Sequence, residues 1–489
     1  MIGQLAYGGF INGRMVVGDG AAFAVENPSD ASILGMQSAA SLGQVAEAIT
    51  TARRAFDDRR WSGKSRQYRA DIMRKFAAAL AARADFLRDM AVREAGCPIN
   101  SSVMKAQVET PLRHAAEAVD MFLLLPETLE NPLPLHERVS VMGGMMQSLR
   151  RFDPVGVVTA IAAYNVPFFT ALWKIVPALL TGNSVILRPN PLTPISAFAF
   201  AEAAAEAGIP DGVLNVVVEQ GLEGAQLLTT HPAIDLVSFT GSCAVGVKVA
   251  EQAAPTLKRL VLELGGKSAQ IFLPDSVDKA AMHAWVVATA HAGQGCALGT
   301  RIFVPESAKA QVLEQAAAML AAIKVGPAND PATQTGPVIN ASAVARCEHF
   351  TAAAVVAGGR VAFGGARPSH LERGHYFLPT VLDLPDNSNP AAQEEIFGPV
   401  SGVIGYKDLD HAVAMANDSK FGLSGFVHGQ DPKEALRVGL AMRSGTVNIN
   451  SGVTSAFASM GGIKMSGLGR ERGEEGIRAY QQMSVLNLG

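Results

Sequence analysis

Only four cysteines occur in 489 residues, at positions 97, 243, 296 and 347. So sparse a set excludes a disulfide framework and leads us to expect a reduced, cytoplasmic protein. No Cys-x-x-Cys pair and no His-Glu-x-x-His stretch occurs, so no metal site is expected. No apolar run approaches the ~20 residues that span a bilayer. The opening MIGQLAYGGFINGR lacks a basic segment, an apolar stretch and a small-residue cleavage site, so no secretory signal is expected. Charge of one sign is also lacking. A formal net charge of −3 gives no electrostatic reason to expect nucleic acid or an anionic membrane as partner. A small molecule or a second copy of the chain fits better.

Hydrophobic residues make up 48% and charged residues 17%, the profile of a soluble globular protein. The length exceeds one ordinary core, so two or three lobes are expected. Apolar Val45, Ile49, Ala52 and Phe56 recur at helical spacing between Leu42 and Phe56. A second helix is expected over Tyr68 to Glu94, stopped by Gly96-Cys97-Pro98. Beyond it, short apolar runs (Val155 to Ala163, Ser184 to Leu187, Val213 to Val218, Leu236 to Phe239) alternate with helix-like segments. One of these, Ile195 to Ala207, ends in Gly208-Ile209-Pro210. This alternation indicates a parallel α/β sheet, which binds nucleotides at its strand ends. A second alternating region runs from about Arg259 to Val447.

Two segments stand apart. Val139 to Met142 and Met145 to Leu149 flank Gly143-Gly144, a two-residue hairpin signal, and Met483 to Leu488 reads as a strand. Both leave open edges unless another subunit covers them, so oligomerisation is expected, with a tucked-in hairpin as the alternative.

Three positions carry candidate chemistry. Cys296 follows Gly293-Gln294-Gly295, where backbone can approach a substrate, and a helix beginning there would favour its thiolate. On local context it is either a nucleophile or a packed thiol; Cys97 and Cys347 read as packed. His291, five residues earlier, reads as structural, since adjacency in sequence shows no contact. Glu263 interrupts the apolar run Leu260 to Leu264 just before Gly265-Gly266. It suits proton abstraction, or else it pairs with a lysine at a strand end. Asn165, in Tyr164-Asn165-Val166-Pro167, follows a strand; its amide suits an oxyanion, or it is an ordinary loop residue. Nucleophile, base and oxyanion donor beside a nucleotide-type sheet point to covalent oxidation of a carbonyl.

Ordered motifs then carry a resemblance. They are Ile11-Asn12-Gly13, Asn27-Pro28, Phe239-Thr240-Gly241-Ser242, Glu263-Leu264-Gly265-Gly266-Lys267, Gly293-Gln294-x-Cys296 with Arg301, Glu395-Ile396-Phe397-Gly398-Pro399-Val400, and Lys464-x-Ser466-Gly467-x-Gly469-Arg470-Glu471. With these, the chain resembles the NAD(P)-dependent aldehyde dehydrogenases nearly end to end. The resemblance implies an α/β fold with three parts. These are a Rossmann-like cofactor domain (1–130 and 153–258), an α/β catalytic domain (259–455) and a small β oligomerisation arm (131–152 and 475–489). It further implies a homodimer or homotetramer.

It also implies roles. Cys296 matches the nucleophile, Glu263 the general base, and Asn165 the oxyanion donor acting with the Cys296 backbone N–H. Glu395 matches the residue holding the nicotinamide ribose, with Phe397 beside the ring. Gly241 and Ser242 match the phosphate turn, in place of the absent Gly-x-Gly-x-x-Gly fingerprint; Cys243 in that turn reads as packing. Ala162, Ala163, Tyr164, Arg188, Pro191, Val245 and Leu264 complete the expected cofactor contacts. The expected reaction forms a thiohemiacetal on Cys296, expels hydride and hydrolyses a thioester. The presence of Glu263 sets the chain apart from the branch that passes the acyl group to coenzyme A.

Departures from the family pattern bear on specificity. Arg188 stands where lysine is common, and Pro191 where a glutamate often binds the adenosine ribose. Exclusion of NADP is weakened on that reading, with NAD still favoured. Ser459-Met460-Gly461-Gly462 lacks the usual proline and phenylalanine, and Tyr164 replaces a frequent tryptophan. Phe168, Phe169, Trp173, Gly295, Ala297, Phe457 and Met460 are the expected substrate wall. An apolar aldehyde, aromatic or medium-chain, is expected. The alternative is a charged semialdehyde, which a cluster of pocket arginines would mark. A non-enzymatic descendant would have lost Cys296 or Glu263, and both are present.

Overall fold

Two sheets organise the chain, which crosses from the first to the second after Glu263 and returns at Gly467–Leu468. The computed structural model describes residues 5–452 and 455–489. The first sheet has eight strands in the order Gly467–Leu468, Arg259–Glu263, Leu236–Thr240, Val157–Ile161, Ser184–Arg188, Leu214–Val217, Tyr7–Ile11, Arg14–Val17. Its five central strands are parallel. Val157–Ile161, Ser184–Arg188 and Leu214–Val217 are buried at every residue, because helices cover both faces. That burial is why these strands read as unbroken apolar runs.

The second sheet has seven strands in the order Arg360–Phe363, Thr380–Leu384, Val400–Tyr406, Arg301–Pro305, Ala269–Phe272, Ser424–His428, Thr446–Ile449, all parallel except the first pair. The architecture is α/β, as expected. Arg259–Glu263 pairs with Leu236–Thr240, so the chain leaves the first sheet after Glu263, not at residue 258. It returns once, when Gly467–Leu468 pairs with that same strand.

The β arm differs from the expected hairpin. Val139 and Met145 make an isolated bridge around the Gly143-Gly144 turn, and no regular two-stranded hairpin follows. The strand that forms is Gln147–Pro154. It pairs over its whole length with the C-terminal strand Gln481–Leu488 and, on its other edge, with Thr128–Glu130. Val141, Met142, Met145, Met483, Val485 and Leu488 of this arm are exposed.

The first helix, Leu42–Asp57, matches its expected span, and Ser41 caps it through a reciprocal pairing with Gln44. The expected helix over Tyr68 to Glu94 is two helices, Arg66–Ala81 and Ala84–Arg93. Arg83 marks the break. Its guanidinium turns back onto the Ala79 carbonyl (2.7 Å) and ion-pairs with Glu202 and Glu206. Apolar periodicity continues through the break, so the pattern did not reveal it. Among the described residues no helix is long and apolar enough to cross a membrane, and no His, Cys, Asp or Glu cluster could hold a metal.

Asn183, fully buried, ties the arm to the sheet. Its Oδ1 accepts from Gly156 N (2.8 Å), and its Nδ2 donates to Ala178 O, Thr181 Oγ1 and Tyr480 O. Asn183→Ala strands the Gly156 N–H in the interior and removes one donor each from Ala178 O, Thr181 Oγ1 and Tyr480 O. It is expected to lower the unfolding free energy by about 2–4 kcal/mol, measured by urea titration; a loss below about 1 kcal/mol contradicts this anchoring role.

Candidate active site

The C-terminal ends of the first sheet's parallel strands open into a cavity of about 480 Å³. Ala162 to Asn165 follow one strand, Arg188 ends the next, Gly241 and Ser242 follow a third, and Glu263 ends a fourth; all line it. The second sheet supplies Cys296, Arg346, Glu395 and Phe397 from the opposite side. Ligands gather at strand ends in parallel sheets because the loops there diverge and backbone N–H groups point outward.

Cys296 sits half-buried in a turn between the 3₁₀ turn His291–Gly293 and the strand Arg301–Pro305. The expected helix start is not there, so no helix dipole favours the thiolate. Burial instead pushes the thiol up to about 12, reinforced by the Glu395 and Glu263 carboxylates. The turn before it is strained, with His291 and Ala292 both at positive φ (52° and 51°). Two anchors hold it. Gln294 Oε1 accepts from Ile339 N (2.9 Å). Buried Arg301 donates to Lys267 O, Asn387 Oδ1, Met415 O and Ala416 O. Burial holds His291 down to about 4, so it is neutral and supplies no imidazolium to the thiol.

Glu263 is buried, and neither carboxylate oxygen has a hydrogen-bond partner among the described residues. The lysine-paired alternative is therefore overturned. Its pKa is held well above the ordinary carboxylate value, first by burial and then by the nearby Glu471 carboxylate; Lys174, Arg470 and Arg472 oppose the shift. Glu471 in turn accepts from Lys174 Nζ at 2.6 Å, both side chains being buried.

Asn165 is buried beside this pair of loops. Its Nδ2 donates to Gln294 O (2.8 Å), and its own carbonyl accepts from Gln107 Nε2 (2.7 Å). One amide N–H thus fixes the cysteine loop, and the second is not engaged by it.

The remaining walls suit a nucleotide. Ser242 caps the helix Cys243–Ala253 through Val245 N (3.4 Å), so the first N–H groups of that helix face the cavity end without helical partners. Cys243 donates its thiol to Met465 O (2.9 Å) and packs there. Glu395 accepts from Gly266 N (3.0 Å). Burial raises its pKa against the pull of that N–H, Lys267 and Arg346. Phe397 meets Tyr164 edge-on at 5.9 Å. Leu264 and Val245 also line the cavity.

Other expected residues lie elsewhere. Phe168 stacks on Phe200 (5.1 Å) in the core, because it sits on the inward face of the helix Pro167–Leu180. Trp173, on the same helix, is fully buried against His114 of the helix Thr110–Leu124, whereas Phe169 does line the cavity. Phe457 is exposed and outside the lining, whereas Met460 lines it. Gly295 and Ala297 flank Cys296 in its turn without lining the cavity. The turn Asn190 to Thr193, closed by Asn190 Oδ1 on Leu192 N, carries Pro191 outward and leaves Asn190 on the wall.

Sequence reasoning missed Lys174 and Glu471. The signal was there: Lys174 is the only charge in the apolar helix PFFTALWKIVPALL, and a charge on so buried a helix needs a partner.

The model of the aldehyde dehydrogenase family matches residues 16–486. A geranial dehydrogenase of Castellaniella defragrans is 37% identical over 442 residues, 90% of each chain. A cysteine-to-alanine mutant of aldehyde dehydrogenase C from Pseudomonas syringae, complexed with NAD+ and octanal, superposes with a TM-score of 0.92. It is 32% identical, covering 99% of this chain and 97% of that one. A proline-to-methionine point mutant of betaine aldehyde dehydrogenase from Staphylococcus aureus, in complex with NAD+, gives a TM-score of 0.93 at 31% identity, covering 99% of this chain and 97% of that one.

Because the Cys296 thiol is pushed upward, its thiolate fraction at neutral pH is small and grows about tenfold per pH unit. Alkylation of Cys296 by iodoacetamide, followed on its peptide by mass spectrometry, is expected to accelerate to that extent between pH 7 and 9. A plateau below pH 8 contradicts the geometry.

Proposed function

The chain belongs to the aldehyde dehydrogenase family, and we propose that it oxidises an apolar, aromatic or medium-chain aldehyde to its carboxylic acid through a thioester on Cys296. The observation that carries this reading is one cavity lined by Cys296, Asn165 and an unpaired, buried Glu263.

Cys296 adds to the aldehyde carbon; as the carbon–sulfur bond forms and the carbonyl π electrons move onto oxygen, the thiol proton passes through Glu263 to solvent. The resulting oxyanion is held by the second N–H of Asn165 Nδ2 and the Cys296 backbone N–H. A nicotinamide dinucleotide, when bound, takes the hydride that leaves the former aldehyde carbon. The carbonyl re-forms as a thioester. Glu263 takes a proton from water as its oxygen attacks that carbonyl, and the carboxylic acid and the thiol are released. A carboxylate with a raised pKa is suited to this step, since it binds the water's proton near neutral pH. Glu471, held beside it by Lys174, adds to burial in raising Glu263's affinity for protons.

The same residues fit the cofactor. Glu395, fixed by Gly266 N, offers a carboxylate for ribose hydroxyls. The capped helix start at Ser242 offers N–H groups for the pyrophosphate, and Phe397 packs beside the ring.

The apolar preference rests on Phe169, Val166 and Met460 in the wall. The relatives named for geranial and complexed with octanal support it. Arg346, which lines the cavity, is turned toward backbone: its Nε donates to the Ile396 carbonyl (2.6 Å) and its Nη2 to the Phe397 carbonyl (3.5 Å). Exposed apolar residues along the Gln147–Pro154 and Gln481–Leu488 arm support assembly as a homodimer or homotetramer.

Cys296→Ala is expected to lose activity by at least ~1,000-fold with medium-chain aldehydes and NAD. Glu263→Gln is expected to release one equivalent of reduced nicotinamide per site in a burst, then turn over about 100-fold more slowly. Full steady-state rates in Glu263→Gln contradict its role as base, and full rates in Cys296→Ala contradict the covalent route. Both are read by nicotinamide absorbance in stopped flow.

A further inference from the structure

Arg188 ends the strand Ser184–Arg188 and lines the cavity three strands away from Glu263, about 14 Å across the sheet. Parallel nucleotide-binding sheets choose between a ribose 2′-hydroxyl and a 2′-phosphate in this region. A carboxylate favours the hydroxyl, and a free arginine accommodates the phosphate. Read alone, Arg188 makes the site permissive to phosphate.

Its guanidinium is not free. Nε donates to Glu219 Oε1, and Nη2 donates to Gly221 O at 3.1 Å. Arg188 and Glu219 are both buried, at 8% and 5% exposure, so the pair is weakly screened. Glu219 follows the neighbouring strand Leu214–Val217 and is packed in place. A Cβ at Gly224 would stand 3.0 Å from its carboxyl carbon. A second carboxylate, Glu223, lies within 2.6 Å of where a Cβ at Gly221 would stand.

We infer that Glu219 is the residue that makes this site select NAD over NADP. It occupies the Arg188 fork that a 2′-phosphate would need, and it neutralises the charge that would attract one. The inference rests on the reading of the cavity as a nicotinamide dinucleotide site. A phosphate can enter only by displacing a buried carboxylate from its arginine or by lying against it, and like charges held together are strongly disfavoured. A neutral 2′-hydroxyl meets no such penalty.

The test uses binding, not turnover: calorimetric titration of the full-length protein with 5′-ADP, 2′,5′-ADP, NAD and NADP. The wild type is expected to bind 5′-ADP and NAD about tenfold or more tighter than their 2′-phosphorylated counterparts. Glu219→Gln is expected to tighten 2′,5′-ADP by about tenfold. Glu219→Gln combined with Arg188→Ala is expected to lose that gain, which shows that the freed arginine provides it. Equal wild-type affinity for 5′-ADP and 2′,5′-ADP overturns the inference even if the variants fail to fold. So does a Glu219→Gln protein with no gain for 2′,5′-ADP. Absence of any NAD binding to the wild type overturns the dinucleotide reading, and this inference with it.

Discussion

Everything in the site depends on how closely the backbone passes at Gly265-Gly266, where the chain crosses from the first sheet to the second. A Cβ at Gly265 would lie 2.0 Å from a Glu395 carboxylate oxygen, and one at Gly266 would lie 2.7 Å from the Cys296 carbonyl. Any larger residue would push these groups apart. With glycine at both positions, the end of the Arg259–Glu263 strand, the cysteine turn and the Glu395 segment pack against one another. Gly266 N then fixes Glu395 directly. The crossing therefore both joins the sheets and brings an acid from each of them to the cysteine.

That convergence has an electrostatic consequence. Glu263, Glu395 and Glu471 stand near the thiol, so burial and neighbouring carboxylates raise the proton affinities of Cys296 and Glu263, and burial raises that of Glu395. Compensating cations are buried too. Lys174 pairs with Glu471, and burial brings Lys267 down to about 7 despite Glu395 and Glu394 nearby. The result is a thiol and a base whose proton affinities are raised together, beside the buried Lys174–Glu471 ion pair. A thiol held this way resists adventitious oxidation, and a base held this way does not act until water is positioned against it.

Much of this was legible in the sequence, for identifiable reasons. The buried parallel strands announced themselves because helices on both faces demand apolar side chains at every position. Leu236–Thr240 and Ser184–Arg188 fell within a residue of their expected ends. The ordered motifs marked the residues at the ends of those strands, and Cys296, Glu263, Asn165, Glu395 and Phe397 do meet in one cavity. What escaped was whatever depends on side-chain direction or on a distant partner. Phe168 and Phe169 are adjacent in sequence, yet a 100° step around a helix sends one to the core and the other to the cavity. The helix break at Arg83 depends on Glu202 and Glu206, more than a hundred residues away. Arg188 looked like a phosphate ligand because its partner, Glu219, lies just beyond the next strand, 31 residues on.

The covalent link between Cys296 and substrate is the claim on which the rest turns, and mass spectrometry tests it most directly. Glu263→Gln protein, mixed with NAD and a medium-chain aldehyde and quenched in acid within the first turnover, should carry one acyl group. Peptide mapping should place it on Cys296, as a thioester cleaved by hydroxylamine. Reduced nicotinamide formed in stoichiometric amount with Cys296 unmodified, or with the acyl group on Cys243, would contradict the account.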